Sequence, residues 1–251
     1  MAVVLTRPLA EAQRWAARLQ QRGIDAIVLP LIAIGPPADV QALRDAAPAA
    51  DQYSAVMFVS ANAVQGFFAA SPRFERARAW APGPATREAL RSAGVPDTRV
   101  DAPAEDAAQF DSESLWQQVH GQLRPGDRVL VVRGADSEGR SQGREWLAQQ
   151  VAAAGAQVDM VAAYRRAVPQ WDETAQGTAR RAAADGSVWL FSSSEAAGNL
   201  VRLLPGQDWG QARAIATHPR IAQAVRATGF RDVRECRPAF EDVVASIESS
   251  R

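Results

Sequence analysis

One pattern of three segments occurs twice along this chain of 251 residues, and it constrains the fold more than any other feature. The first segment runs from residue 2 to residue 34 and returns from residue 128 to residue 164. Each copy holds a short apolar stretch, an amphipathic helix that ends at a glycine (Gly23 or Gly155), and a second apolar stretch. Such strand–helix–strand units predict a parallel sheet covered by helices.

The second and third segments recur in the same order. Residues 56–63 and residues 188–196 each predict an apolar strand, a turn of small polar residues and a helix. Residues 79–94 resemble residues 214–229, with a proline and a glycine at matching positions. Chance similarity between generic strand–helix units explains any single pair. Three pairs in one order predict an α/β chain of two similar domains with parallel sheets flanked by helices.

The composition excludes several classes of protein. The net charge is zero, so the chain lacks the overall basic field that binds nucleic acids and anionic membranes. All 28 basic residues are arginine, which excludes a P-loop lysine and a Schiff-base lysine. No apolar run approaches the roughly 18 residues of a membrane-spanning helix. We therefore expect a cytoplasmic protein that binds neither nucleic acid nor membrane.

Residues that commonly ligate metals are few. The only histidines are His120 and His218, and no metal-binding spacing accompanies them. Cys236 is the only cysteine, so the chain cannot form an internal disulfide. We predict no metal site.

Polar residues follow four of the predicted strands. In an open parallel sheet, ligands bind beyond the carboxyl ends of the strands, where helix N-termini attract anions. The four turns are predicted at Thr6-Arg7, Ser60-Ala61-Asn62, Arg133-Gly134 and Ser192-Ser193-Ser194. Each turn alone is explained by ordinary helix capping. Four of them across two domains permit a site for an extended polyanion.

Two further features leave a functional and a structural interpretation open. The loop from Gly134 to Arg144 contains glycines and arginines that suit an anion site, and it suits a solvated surface loop equally well. Tyr164 ends the second strand–helix–strand segment, and its phenol can donate a proton at neutral pH. Composition alone favours a half-buried structural tyrosine there.

These segments together resemble the uroporphyrinogen-III synthase family, from about residue 2 to about residue 247. The order and spacing of several short motifs carry the resemblance, since no single motif is specific. The matching stretches are Val4–Pro8, Phe58–Val64, Pro82–Thr86, Ser112-Glu113 before Leu115, Arg128–Gly134 and Val161–Arg165.

The resemblance implies a domain arrangement that the repeats leave open. One domain of this family combines the N-terminal segment with the C-terminal third, and a two-stranded antiparallel connector joins it to the middle domain. The implied domains are residues 1–34 with 168–251, and residues 35–167, with connector strands in Ile32–Pro37 and Ala163–Pro169. A tandem arrangement divided near Pro125 is also compatible with the repeats.

The resemblance also implies an activity. Members of the family dehydrate and cyclise hydroxymethylbilane, with inversion of ring D, to give uroporphyrinogen III in haem biosynthesis. No metal or organic cofactor is implied. The substrate carries several carboxylates, which suits arginines and helix N-termini. We expect a monomer, with a transient contact to the preceding pathway enzyme.

Roles carried over residue by residue fall into two groups. Tyr164 matches a family tyrosine that assists departure of the hydroxyl group as a proton donor, and Thr86 matches a threonine that faces the cleft. The substrate-binding residues predicted from the turns and the resemblance are Thr6, Arg7, Ser60, Ala61, Asn62, Arg133, Gly134, Ser192, Ser193, Ser194 and His218.

One turn departs from the family pattern. In the second copy of the third segment, Ile221 stands where the family often has threonine. His218 and Arg220 are alternative donors at this turn, and a structural surface histidine is the other interpretation of His218.

Two other functions fit parts of the pattern. A non-enzymatic two-domain protein that closes on a small anion explains the duplicated domains and the polar strand ends, but not the matching motifs. A synthase-like regulatory module is a third interpretation. We expect no attached DNA-binding or membrane segment, which counts against that module.

Overall fold

A computed structural model describes residues 1–70, 74–104, 111–135 and 145–249, and the structural statements below concern these residues. The strands are β1 (Val3–Leu5), β2 (Ala26–Val28), β3 (Ala33–Gly35), β4 (Ala55–Phe58), β5 (Arg78–Trp80), β6 (Val100–Asp101), β7 (Arg128–Ala135), β8 (Gln157–Ala167), β9 (Val188–Phe191), β10 (Arg213–Ala216) and β11 (Asp232–Glu235). The helices are α1 (Leu9–Gln21), α2 (Val40–Ala46), α3 (Ala61–Ala70), α4 (Pro84–Ser92), α5 (Ser112–Val119), α6 (Glu145–Ala153), α7 (Glu173–Ala182), α8 (Ser194–Leu203), α9 (Pro219–Ala227) and α10 (Phe240–Glu248).

The chain divides into two compact units. Unit 1 comprises residues 1–33 and 167–251, and unit 2 comprises residues 34–166. The domain boundaries expected from the sequence, at residues 34/35 and 167/168, stay a prediction. Within the described ranges, none of the helices is both long and apolar enough to cross a membrane.

Unit 1 is built on a five-stranded sheet in the order β11-β10-β9-β1-β2, in which every neighbouring pair is parallel. Along β9, Trp189 and Phe191 join one apolar cluster, whereas Val188 and Leu190 join another. This alternation follows from the period of two along a strand. Both faces of the sheet are therefore covered, as is usual for parallel sheets.

Unit 2 contains a six-stranded sheet in the order β3-β8-β7-β4-β5-β6. The four pairs from β8 to β6 are parallel. Along β7, Leu130 and Val132 join the apolar cluster on one face, and Val129 and Val131 join the cluster on the other. The predicted α/β class, with parallel sheets flanked by helices, is confirmed in both units.

The two sheets show how the repeated segments are distributed. The order β2-β1-β9-β10-β11 in unit 1 matches β8-β7-β4-β5-β6 in unit 2, segment for segment. Each unit thus combines the strand–helix–strand segment of one copy with the second and third segments of the other copy. A single division near Pro125 does not describe these sheets, because β1 lies between β2 and β9.

Helices in the strand–helix–strand segments end where the sequence predicts. α1 buries Ala12, Trp15 and Leu19, whose helical spacing places them on one face. Gly23 has φ of +70° and Gly155 has φ of +82°, a left-handed conformation that other residues adopt at a cost. These two glycines therefore end α1 and α6.

One predicted turn is wrong. Arg133 and Gly134 were expected to connect a strand to a helix, but both lie inside β7. Arg133 pairs with Ala162 and Gly134 pairs with Tyr164, so a β-bulge leaves Ala163 unopposed. Pairing with β8 continues past the expected turn, because β8 is itself longer than the sequence pattern indicates.

The two stretches expected as connectors span the boundaries between the units along the chain and contribute to neighbouring strands. Ile32–Pro37 contains β3, and Ala163–Pro169 contains the last residues of β8. β3 is the neighbour of β8 in the sheet. A Cβ atom on Gly35 would lie 3.5 Å from the Nε atom of Arg165, an ordinary contact distance.

Candidate functional site

Two hydroxyl groups meet near the carboxyl ends of the strands in the sheet of unit 2. Ser60 follows β4 and Tyr164 lies in β8, and their oxygens are 3.1 Å apart, so either hydroxyl can donate to the other. The Ser60 hydroxyl also accepts a hydrogen bond from the backbone N–H of Ala63, at 3.2 Å. Ser60 therefore caps the start of α3 and contacts Tyr164 with the same oxygen.

The ring of Tyr164 reaches Ser60 because the intervening strand carries a glycine. β7 lies between β4 and β8, and its Gly134 pairs with Tyr164. A Cβ atom on Gly134 would lie 2.6 Å from the Cε2 atom of Tyr164 and 2.8 Å from its hydroxyl oxygen. Both distances are shorter than real contacts allow, so the ring needs glycine at this position. Tyr164 as a whole is only 6% exposed.

A second glycine brings α3 close to the same part of β8. A Cβ atom on Gly66 would lie 2.9 Å from the carbonyl carbon of Ala163, the residue before Tyr164. Gly66 was not among the residues predicted for the site. A lone glycine within a helical pattern commonly has a packing reason, and that was the only signal for it.

Other predicted residues of unit 2 lie at the starts of helices. Ala61 and Asn62 form the first turn of α3 and are half-buried. Thr86 is the third residue of α4 and is 4% exposed. Its backbone N–H donates to the carbonyl oxygen of Gly83 at 3.1 Å, and Pro84 is the first residue of the helix.

Arg133 lies on the opposite face of the sheet from Tyr164. It lines a small pocket whose apolar wall includes Met57, Val131 and Leu147, which belong to the other apolar cluster. Burial lowers the pKa of the Arg133 guanidinium, because an apolar setting disfavours the charged form. The structure therefore does not bring Arg133 to the hydroxyl pair formed by Ser60 and Tyr164.

Thr6 and Arg7 are held by contacts within unit 1. Thr6 is 1% exposed, and its hydroxyl donates to the carbonyl oxygen of Leu190 at 2.6 Å. The Arg7 guanidinium donates to Glu11 at 2.5 Å and lies 4.3 Å from the ring centroid of Trp15. The Thr6 side chain therefore ties β1 to β9, and the Arg7 side chain is tied to α1.

The serine turn after β9 corresponds to the turn after β4. The Ser193 hydroxyl accepts a hydrogen bond from the backbone N–H of Glu195 at 3.2 Å and caps α8, which begins at Ser194. Ser192 is half-buried. Both tyrosines of the chain belong to unit 2, so this turn has no counterpart of the hydroxyl pair.

His218 is the N-cap of α9. Its Nδ1 atom accepts a hydrogen bond from the backbone N–H of Arg220 at 3.1 Å, and the residue is exposed. The capping nitrogen carries no proton, so the proton of the neutral ring is on Nε2. Ile221, at the position expected for threonine, packs against the apolar core of unit 1.

The predicted anion-binding loop from Gly134 to Arg144 falls largely outside the described residues, which omit residues 136–144. Its role stays a prediction.

The parallel sheets and the polar turns at their carboxyl edges define a two-domain α/β protein. The family model described as uroporphyrinogen-III synthase HemD matches residues 13–245. The chain therefore belongs to the uroporphyrinogen-III synthase family.

Individual relatives agree with this assignment. The chain is 26% identical over 255 aligned positions to the uroporphyrinogen-III synthase of Escherichia coli K12, covering 97% of this chain and 98% of the relative. It is also 26% identical to the uroporphyrinogen-III synthase of Salmonella typhimurium, with the same coverage.

Solved structures share the fold. The uroporphyrinogen-III synthetase of Helicobacter pylori matches with a TM-score of 0.64 at 14% identity, over 100% of this chain and 99% of that one. A mutant uroporphyrinogen III synthase of Thermus thermophilus matches with a TM-score of 0.56 at 17% identity, over 100% and 98%.

Proposed function

We propose that this chain is an enzyme, a lyase that removes water from hydroxymethylbilane and closes it into uroporphyrinogen III. Family membership supports the reaction, and the hydroxyl pair of Tyr164 and Ser60 is the observation that carries the chemistry. The pair lies at the edge of a parallel sheet where ligands of α/β proteins usually bind.

Departure of the hydroxyl group needs a proton, which we assign to Tyr164. Its O–H donates to the leaving oxygen, the carbon–oxygen bond breaks, and water departs. The electrons of the adjacent pyrrole stabilise the resulting cation. The Tyr164 oxygen, now a phenolate, accepts the hydrogen bond of Ser60 and regains a proton from the pyrrole carbon that rearomatises after ring closure.

Product identity depends on how the substrate is held. The cation is attacked by the substituted carbon of ring D, giving a spiro intermediate that rearranges before the ring closes. In free solution the linear molecule closes head to tail instead and gives the type I isomer. We propose that the protein favours the type III isomer mainly through orientation and exclusion of water.

The remaining predicted residues are proposed as contacts for the substrate carboxylates. Arginine forks bind carboxylates well, which supports Arg7, whose guanidinium also pairs with Glu11, and Arg133, which lies on the other face of its sheet from Tyr164. The helix starts after Ser60 and Ser193 offer backbone N–H groups, and the Nε2–H of His218 is a further donor. Thr6 contributes to the same set through its backbone, since its hydroxyl already bonds within the sheet.

We further propose two domains with boundaries at residues 34/35 and 167/168, and an enzyme that is a cytoplasmic monomer and needs no cofactor. A transient contact with the preceding pathway enzyme has a chemical reason: hydroxymethylbilane closes spontaneously to the wrong isomer, so a short transfer path limits that loss.

An isomer assay tests the function directly. Freshly generated hydroxymethylbilane is supplied, the product is oxidised, and the type I and type III uroporphyrins are separated. We expect type III to dominate only when the folded protein is present. A ratio equal to that of the protein-free control would overturn the proposal and would favour a non-enzymatic protein that binds small anions.

A further inference from the structure

We infer that Ser60 is a positioning residue that orients the hydroxyl of Tyr164 for proton transfer, rather than a substrate contact alone. The inference rests on the proposed function, and it goes beyond the substrate-binding role that the resemblance implies for Ser60.

The Ser60 hydroxyl is itself held in place. It follows β4, whose residues are buried, and its oxygen accepts the hydrogen bond of the Ala63 backbone N–H at 3.2 Å. A capping serine has a restricted rotamer because that bond fixes the position of its oxygen. The partner that Ser60 offers to Tyr164 is therefore in a constant place.

Neighbouring residues that the structure describes limit the movement of the Tyr164 side chain. Its ring lies against Gly134, where any Cβ atom would overlap it, and Gly66 lets α3 pack directly against the backbone of Ala163. Tyr164 is 6% exposed, so its ring has little space to adopt another orientation. Its hydroxyl meets Ser60 at 3.1 Å.

The hydrogen bonds available to Ser60 indicate which of the two hydroxyls donates during the reaction. A serine oxygen carries one proton and two lone pairs, and the Ala63 N–H occupies one lone pair. If Ser60 donates its proton to Tyr164, the phenol proton is free to point at the leaving oxygen. Once that proton has left, the same Ser60 O–H stabilises the phenolate. The bond is stronger in the charged state, so it lowers the barrier.

A double-mutant cycle tests this role through kcat. We expect Ser60→Ala to lower kcat roughly hundredfold, the lower end of what loss of one preorganised donor costs, with KM within about twofold of wild type. We expect Tyr164→Phe to lower kcat at least as much. In the Tyr164→Phe background, Ser60→Ala should change kcat less than about twofold, because the group on which Ser60 acts is gone.

Two further variants separate positioning from folding. Ser60→Thr keeps the hydroxyl and should restore most of kcat. Asp39→Ala removes the side-chain cap of α2, which accepts from the Ala42 N–H at 2.8 Å in the same unit, and should leave kcat unchanged. A kcat loss in Asp39→Ala as large as that in Ser60→Ala would show that any lost cap suffices, and would overturn the inference.

The remaining outcomes are equally decisive. Equal fold-losses from Ser60→Ala in the wild-type and Tyr164→Phe backgrounds would overturn the inference, as would a raised KM with unchanged kcat, which marks a substrate contact. Unchanged kcat in Tyr164→Phe would remove both Tyr164 and its positioning residue from the mechanism. Failure of the wild-type protein in the isomer assay is a different result, and it would overturn the proposed function itself.

Discussion

The strands β1 and β7 occupy equivalent places in the two units, yet they continue differently. When the strand–helix–strand segments are aligned on their capping glycines, the strand registers place Arg7-Pro8 where unit 2 has Arg133-Gly134. Proline has no N–H to offer a neighbouring strand, so β1 ends and α1 begins at Leu9. Glycine keeps its N–H, and β7 continues alongside β8.

This difference and the residue type at the position of Tyr164 together account for the Ser60–Tyr164 hydroxyl pair in unit 2. Gly134 leaves space for the ring of Tyr164 beside Ser60. In unit 1, the position aligned with Tyr164 is Ile32, which is buried in the apolar cluster of that unit. The two units share a sheet order, but among the described residues a buried tyrosine lies beside a capping serine in unit 2 and an isoleucine takes its place in unit 1.

The largest effect is expected when a Cβ atom is added in unit 2. Gly134→Ala forces the Tyr164 ring away from Ser60, so we expect kcat to fall roughly hundredfold, the range of a lost general acid. Overpacking should also cost about 1–3 kcal/mol in the free energy of unfolding. Isomer assays and denaturant titrations measure the two effects.

Gly121→Ala is the matched control for that change, because nothing lies within 4 Å of the Cβ position of Gly121. It should alter neither quantity. Normal turnover by Gly134→Ala would mean that the space that Gly134 leaves for the Tyr164 ring does not matter for the reaction. The difference between β1 and β7 would then have no functional consequence.

The next effect belongs to unit 1. Thr6→Val keeps the shape of the side chain but removes the buried hydrogen bond to the carbonyl oxygen of Leu190. We expect the free energy of unfolding to fall by about 1–2 kcal/mol, because the carbonyl loses a partner away from water. Urea denaturation checks this. An unchanged midpoint would contradict the structural role assigned to Thr6.

A smaller effect is expected at the third repeated segment, where the units also differ. The N-cap of α9 in unit 1 is His218, and the equivalent N-cap of α4 in unit 2 is Gly83, which has no side chain to cap with. His218→Ala should lower the free energy of unfolding by about 0.5–1 kcal/mol, whereas His218→Asn should retain most of it. Equal losses in both variants would show that the histidine ring acts in another way.

The effect expected to be smallest near neutral pH concerns Cys236, whose surroundings include Arg7. Burial and the charge of Asp242 together raise the pKa of the Cys236 thiol to about 11, and the charge of Arg7 opposes them. Folding therefore favours the protonated thiol. The stability it contributes is complete below the ordinary pKa of 9.0 and is lost as pH rises towards about 11.

Comparing the unfolding of wild type and Cys236→Ala across that interval measures this contribution. The difference between them should shrink as pH rises, and alkylation of Cys236 in the folded protein should be slow near neutral pH because little thiolate is present. Rapid alkylation under those conditions would contradict the buried setting of the thiol.

Local features could be read from the sequence because their causes are local. The apolar run Val188–Phe191 predicts a strand buried on both faces, and Gly23 and Gly155 predict helix ends that need a left-handed backbone. The serine turns after β4 and β9 are helix caps, as their residue types indicate. Three repeated segments in one order were enough to predict two similar α/β domains.

The pairing of Ser60 with Tyr164 could not be read in the same way. It depends on a bulge between β7 and β8 and on the order β8-β7-β4, which brings together residues 104 positions apart. The pattern also placed a turn at Arg133-Gly134, since a glycine after a strand is a turn signal when the length of the partner strand is unknown.

The sequence by itself determined most strands and helices of the repeated segments, the glycine helix ends and the duplicated α/β pattern, because periodicity, capping and backbone preference act over a few residues. Only the tertiary structure decided how the two copies are shared between the units, where β7 ends, and which hydroxyl lies beside Tyr164. Those features depend on strand pairing and side-chain packing between distant segments, and such contacts cannot be predicted from the local sequence pattern of either segment.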